Sequence, residues 1–455
     1  MVTEATLALR CTSCESSPRL HCGTAEGEPG LICPDCGTRY PVFARGGQSV
    51  PWLFPVPEAR HGAWGAEVKR TLDSLAQRSE QLAALGCERG LTALARIRLS
   101  RTHKGVLQQI ESLQALMQDF HFDRGKAGPQ QRCPSLLGYS ANVFRDWCWE
   151  NGETEHMLNA VVAALDEMGQ AAPRRMLTLG SGSGRLSIDL HRRLKLDQSI
   201  LFDINPFLMA VAATLYSGDT LRWPEFPVAP KSLEEGCVVQ QLADPTAGAG
   251  ADGAVHFMLG DVTALPFENE SMDAVLTPWL IDVVPLPLPE LLGRINALLP
   301  IGGLWLNTGS LAFDQRDATH EHFAIEEVLA MVETAGFRLR ALDQSEQAYL
   351  QSPASCHRRY EQVTTFCAEK IRTTPADFVR GERQRDRRES IVRSPRIEQA
   401  AAFHLLHAQV LSAVDGQRSE RDLAELLVGR YDLVPSVAEQ LVQDILKPAR
   451  PTGQP

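Results

Sequence analysis

Two groups of residues in this chain have the types and spacing to do chemistry. Near the start, Cys11-x2-Cys14 and Cys33-x2-Cys36 are separated by eighteen residues. Each C-x-x-C pair turns two thiolates the same way, and two pairs make the tetrahedral four-sulfur set that Zn2+ accepts with no open position. Such a site has no place for substrate or water. Its expected role is structural, folding a small module that could not bury enough core alone. Nearby His21 and Cys22 leave open which ligands are used. The second group is Gly180-Ser181-Gly182-Ser183-Gly184, which follows the apolar run MLTLG and precedes an amphipathic stretch. Glycine there lets the backbone turn sharply and lets a ligand approach with no Cβ in the way. Asp203 ends the next apolar run, SILFD, nineteen residues after Gly184. A carboxylate at that point can accept both hydroxyls of a ribose lying across the strand ends. Both NAD(P) and S-adenosylmethionine fit these two features.

Positioning such a site requires a sheet. From Pro173 to about Lys370 apolar runs alternate with amphipathic ones: MLTLG, SILFD, VHFMLGD, MDAVLTPWLID and GGLWLNTG are separated by helical patterns such as LLGRINALLP. Alternation of this kind predicts an α/β fold, a Rossmann-like parallel sheet with helices on both faces. The stretch at 244–254, DPTAGAGADGA, reads as a surface insertion. Upstream, Val106, Ile110, Leu113, Met117 and Phe120 step 4-3-4-3 along one helix face, so the segment from about Glu67 to Phe120 is expected to be a helical connector or lid, with coiled-coil dimerisation as the alternative. Beyond Lys370 comes an arginine-dense linker, RGERQRDRRESIVRSPR, and then a small module with three helical segments. Its second segment is opened by Ser419 with Asp422 and its third by Ser436 with Glu439. The expected division is a zinc ribbon at 1–56, a helical connector at 57–135, the α/β domain at 136–372, the linker at 373–398 and the small module at 399–455.

Composition removes several function classes. Apolar residues at 44% and charged residues at 22% are ordinary globular usage. A surplus of 56 acids over 45 Lys and Arg gives a formal charge of −11, the wrong sign for a phosphate backbone, so no nucleic-acid partner is expected. No long uninterrupted apolar stretch occurs and the start, MVTEATLALR, does not read as a secretory leader, which predicts a cytoplasmic protein with no membrane partner. The eleven cysteines then read as thiols or metal ligands.

Further stretches carry resemblances. Gly260-Asp261-Val262 ahead of FENESMDAVLT is similar to the adenine-contacting turn and fourth strand of class I methyltransferases, which implies S-adenosylmethionine rather than NAD(P). More closely, residues from about Asn142 to Lys370 resemble the carnosine N-methyltransferase family. The matching stretches are Asn142-Val143-Phe144-Arg145-Asp146-Trp147, Gly180-x-Gly182-x-Gly184-Arg185-Leu186, Trp279-Leu280-Ile281-Asp282, Trp305-Leu306-Asn307-x-Gly309 and Tyr360-Glu361. The resemblance implies an N-methyltransferase whose cofactor is held by Asn142, Arg145, Gly180, Gly182, Gly184, Asp203, Asp261, Val262 and Thr277. It also implies that Asp282 holds the acceptor and Tyr360 lines its pocket. Two positions depart from the family pattern, Asp314 in place of a pocket histidine and Arg358 in place of a tyrosine. The expected acceptor is therefore a small or peptide-like nitrogen compound not restricted to carnosine. A methyltransferase-like fold kept as a non-catalytic scaffold is the alternative. CPDCGTRYPVF resembles the second knuckle of ribbons found ahead of some bacterial methyltransferase domains. Residues 404–446 are loosely similar to PqqD-like winged-helix modules, implying a leader-peptide or protein partner. The stretch 402–446 holds three arginines against seven acids, which disfavours a DNA-reading winged helix.

Overall fold

A computed structural model of the protein describes residues 8–25, 28–122, 133–169, 171–247, 254–313, 321–374, 410–414, 418–431 and 433–446. Two compact units divide it, residues 1–379 and 380–455.

The first unit opens with four short strands, β1 (His21–Ala25), β2 (Glu28–Ile32), β3 (Arg39–Arg45) and β4 (Gln48–Leu53), each antiparallel to the next. Helix α1 (Pro57–Gly86) starts with proline in its first turn, where the missing N–H costs nothing. Helix α2 (Ala93–Met117) is capped by Thr92, whose hydroxyl accepts from Ala95 N at 3.1 Å. Val106, Leu113, Met117 and Phe120 are buried, packed in one core with Phe207, Met209 and Trp223. The striped face expected for a lid or a coiled coil is thus occupied within the chain itself.

Helices α3 (Ser140–Trp147) and α4 (Glu153–Asp166) lead into the alternating region. It comprises β5 (Arg175–Leu179), α5 (Arg185–Leu194), β6 (Gln198–Asp203), α6 (Pro206–Tyr216), β7 (Leu221–Glu225), β8 (Val238–Leu242), β9 (Ala254–Gly260), β10 (Ala274–Pro278), α7 (Leu288–Leu298), β11 (Leu304–Gly309), α8 (Ile325–Thr334), β12 (Phe337–Ala348) and β13 (Tyr360–Lys370). The large sheet runs β1-β2-β3-β4-β9-β6-β5-β10-β11-β13-β12. Its centre, β9-β6-β5-β10-β11, is parallel, and β13 enters antiparallel between β11 and β12. β5 is the first strand of the parallel set and lies at its middle, with β6 on one side and β10 on the other. The crossovers leave it in opposite directions, which opens a crevice beyond the carboxyl ends of the strands. Helix α6 is apolar all round because it is covered on every side, every residue from Pro206 to Leu215 being buried.

Two features were not legible beforehand. β4 pairs in parallel with β9, Trp52 opposite Leu259 and Leu53 opposite Gly260, so the ribbon covers what would be an open sheet edge. The hairpin β7–β8 lies between α6 and β9. Pro224 argues against a strand by sequence, but a two-stranded ribbon tolerates it.

The second unit contains α9 (Glu420–Tyr431) and α10 (Pro435–Leu446), whose Leu423, Leu427, Ala438, Val442 and Ile445 pack together with Val410. The Ser419–Asp422 cap forms as its spacing predicts, Ser419 N and Oγ each donating to Asp422 Oδ2 at 2.7 Å. The last helix starts at Pro435, not after Ser436, because proline presets the first turn. The arginine-dense linker and the first helical segment of this module lie largely outside the described residues. Among the described residues no helix is long and apolar enough to cross a membrane.

Candidate functional site

The glycine loop lies at the carboxyl end of β5. Gly182 (φ +58°) faces open space, while Gly184 (φ +87°) is where α5 meets the sheet. A Cβ at 184 would come within 2.8 Å of Leu201 Cδ2 and 3.0 Å of Ala212 Cβ. Gly184→Ala combines a left-handed backbone with an overpacked contact and is expected to cost about 2–4 kcal/mol of stability, read as a lower urea midpoint at unchanged m-value.

Two neighbours hold the loop in shape. Asp203, at the tip of β6, accepts from Gly182 N and from Asn205 N, each at 2.8 Å. Burial pushes its carboxyl up to about 6, against backbone N–H bonds that pull it down. From the other side α3 is fastened to the loop: Trp147 Nε1 donates to Ser183 O at 3.0 Å, and Ser183 Oγ to Asp146 Oδ2 at 2.5 Å. Asp146 in turn accepts from Arg145 Nε at 2.7 Å. The motif reading assigned no role to Asp146 or Trp147, although both stand in the matched stretch; their part is to set the loop.

Polar atoms are left over at this place. Arg145 Nη1 and Ser181 Oγ are buried with no hydrogen-bond partner among the described residues. A buried guanidinium nitrogen without an acceptor is costly and is completed by an anionic group such as a carboxylate. Asn142 is half-buried on the first turn of α3. An amino-acid-bearing nucleoside suits this donor set.

At the neighbouring tip, β9 ends in Gly260 and is followed by Asp261 and Val262. Asp261 Oδ1 accepts from Thr263 N at 2.9 Å, and Val262 packs against the core. Thr277 is fully buried on β10, and its hydroxyl is committed to the sheet: it accepts from Trp305 Nε1 at 3.0 Å and lies 2.9 Å from the Asn307 amide.

Beyond β10 the chain turns at Trp279 (φ +51°), which Gly309 allows to come close: a Cβ there would be 3.1 Å from Trp279 Cα. Asp282 is buried and accepts from Ala312 N at 3.0 Å. Tyr349 packs on Trp279 in a tilted arrangement, ring centroids 4.5 Å apart and planes at 38°. Burial pushes its phenol up, and the charges of Arg145, Glu361, Arg359 and Asp282 all reach it. Tyr139 is likewise pushed up by burial together with the Asp203 and Asp282 carboxylates. Tyr360 is 59% exposed, whereas alternation along β13 turns Glu361 inward, 9% exposed. Whereas Tyr360 does not face inward, Tyr349, in the turn between β12 and β13, is half-buried against Trp279 and feels the Asp282 charge. No motif singled it out. Arg358 donates to Ser352 O at 3.1 Å and Ser355 O at 3.0 Å, bracing that turn. Asp314 lies outside the described residues.

In the ribbon, the Sγ atoms of Cys11, Cys14, Cys33 and Cys36 all lie within 4.8 Å of one another. Tyr40 Oη lies 3.1 Å from Cys11 Sγ and accepts from Thr12 N at 3.0 Å, bracing the first knuckle. Cys22 is exposed on β1, apart from this set.

The family profile described as carnosine N-methyltransferase matches residues 137–372. No curated protein matches the chain. Among solved structures it is similar to the Haloferax volcanii complex of the Trm112 methyltransferase activator with a methyltransferase, at 15% identity over 53% of this chain and 100% of that one, TM-score 0.35. A SAM-dependent methyltransferase from Methanosarcina mazei gives 14% identity over 44% and 94%, TM-score 0.32. Haemonchus contortus phosphoethanolamine N-methyltransferase 2 in complex with S-adenosyl-L-methionine gives 15% identity over 54% and 62%, TM-score 0.30.

Proposed function

Because the chain belongs to the carnosine N-methyltransferase family, we propose that this S-adenosylmethionine-dependent enzyme methylates a nitrogen of a small or peptide-like acceptor held at Asp282. The observation that carries the reading is the convergence of a free Arg145 nitrogen, an open Gly182 and the Asp203 carboxylate at one crevice. Asp203 would take the ribose hydroxyls, Arg145 and Asn142 the amino-acid end, Asp261 and Val262 the base, and the glycine loop the space between. Thr277 contributes by shaping the β10 tip.

When bound, S-adenosylmethionine supplies a methyl group already activated on a sulfonium, so the protein's task is placement and exclusion of water. Asp282 accepts an N–H of the acceptor and stabilises the charge that develops as the nitrogen is alkylated. Trp279 and Tyr349 wall the acceptor from solvent, and the Arg359–Glu361 ion pair lies beside Tyr349. Tyr360, being exposed, serves at most the pocket's rim. Asp282→Asn is expected to lower kcat/KM about 100-fold with S-adenosylhomocysteine affinity unchanged within about twofold. The assay is conversion of S-adenosylmethionine to S-adenosylhomocysteine over a panel of amine and imidazole acceptors, carnosine among them. Wild-type activity in Asp282→Asn would overturn the acceptor assignment.

The four-thiolate set of Cys11, Cys14, Cys33 and Cys36 suits structural Zn2+, as its donor chemistry and closed spacing support. Capture of a leader peptide by the second unit would use a strand edge. Among the described residues that unit holds the helices α9 and α10.

A further inference from the structure

We propose that Arg60, on the helix that leaves the ribbon, is a positioning residue of the cofactor site, holding the Asp261 carboxylate in the orientation that reads the amino group of adenine. The inference rests on the reading that Asp261 faces the base.

Arg60 lies in the first turn of α1, far in sequence from every motif of the nucleotide fold. Its Nη2 is 3.6 Å from Asp261 Oδ2, and its guanidinium carbon lies 5.2 Å from the centroid of the Phe54 ring. The side chain is only 12% exposed, and its Nε is buried with no hydrogen-bond partner among the described residues. A cation withdrawn from water this far needs a counter-charge, and Asp261 provides it. The pairing constrains Asp261 in return. One carboxylate oxygen is held by Thr263 N at 2.9 Å and the other faces Arg60, so rotation of the carboxylate is blocked at both ends.

The rest of the ribbon makes this anchor rigid. Leu53 of β4 pairs opposite Gly260, immediately before Asp261. At the far end of the same loop, Arg10 N donates to Pro266 O at 2.8 Å, and Leu9 forms a bridge with Phe267. Residues 261–267 are therefore gripped by the ribbon at both ends, with Arg60 fixing the acid between. An acceptor preset in direction is worth most to the group it was built to bind and little to an analogue lacking that group. Arg60 is thus expected to act on base selectivity, which a merely structural residue would not alter.

The test measures binding of S-adenosylhomocysteine and of S-inosylhomocysteine, which carries a carbonyl in place of the amino group, by calorimetry on the full chain. In Arg60→Ala, affinity for the adenine compound is expected to fall about 10-fold and that for the inosine compound less than twofold, so that selectivity collapses. Arg60→Lys should restore most of the selectivity, and Arg60→Met, keeping the stem without the charge, should behave as Arg60→Ala if the latter does not fold. Equal losses for both compounds, or no loss, would overturn the role of Arg60. Asp261→Asn separates the two layers. If it erases selectivity while Arg60→Ala and Arg60→Met keep it, only Arg60 is misassigned; if it leaves selectivity intact, the base-contact reading falls and this proposal with it.

Discussion

Asp203→Ala is expected to weaken S-adenosylhomocysteine binding by at least about 100-fold in calorimetry, since two charge-assisted bonds to ribose hydroxyls are worth ~3–6 kcal/mol together. The pH dependence makes the prediction specific. Burial has raised this carboxyl from 3.8 to about 6, within the range of an ordinary titration. Hydroxyl donors favour the ionised form, so the complex holds the proton more weakly than the free protein does. Affinity should be full above about pH 7 and decline by up to about tenfold per unit below pH 6. The ligand-free fold moves the other way. Because the folded carboxyl binds its proton more tightly than the unfolded one, the penalty of burying its charge is present above pH 6 and is relieved as pH falls from 6 toward 3.8. Asp203→Ala should abolish the decline in affinity between pH 7 and 5. A wild-type protein whose affinity is flat across that interval would count against Asp203 as the ribose ligand.

Disruption of the four-thiolate set should have the second large effect. Cys11→Ser or Cys33→Ser is expected to lower zinc content from one ion per chain toward none by atomic absorption, and to lower Tm by about 10 °C or more. The reason lies in the sheet. With the knuckles unpinned, the strand order that begins β1-β2-β3-β4 loses its support, and the parallel pairing of β4 with β9 exposes its edge. Buried Trp52, Leu53 and Phe54 leave the core with it. A serine variant that retains one zinc and the wild-type Tm would remove the structural-metal assignment. Because Leu53 abuts Gly260, the same variants should also lose cofactor affinity, without losing the helical signal of the second unit.

How far the site could be read in advance depended on the kind of residue. Glycine positions were legible because a positive φ is a local requirement, as at Gly184 (φ +87°); that a side chain there would also strike α6 and β6 was not. Asp203 was legible because the end of a buried strand is marked by the end of an apolar run. Tyr349 and Glu361 were not separated from Tyr360, because which neighbour faces the pocket follows from the pairing of Ala348 with Tyr360 and the turn beyond it. Asp146 and Trp147 belonged to a matched stretch, yet their bonds to Ser183 exist only once α3 lies across the loop.

By itself, then, the sequence determined the strand–helix alternation, the glycine turn with its following acid, and the four thiols at ribbon spacing. Each is written in contacts spanning a few residues or in a repeating hydrophobic period. Tertiary structure alone decided that the ribbon completes the sheet, that Arg60 meets Asp261 across two hundred residues, and that Tyr349 packs on Trp279. Those contacts join distant segments, and their geometry is fixed by sheet order and register, which no local pattern of residues encodes.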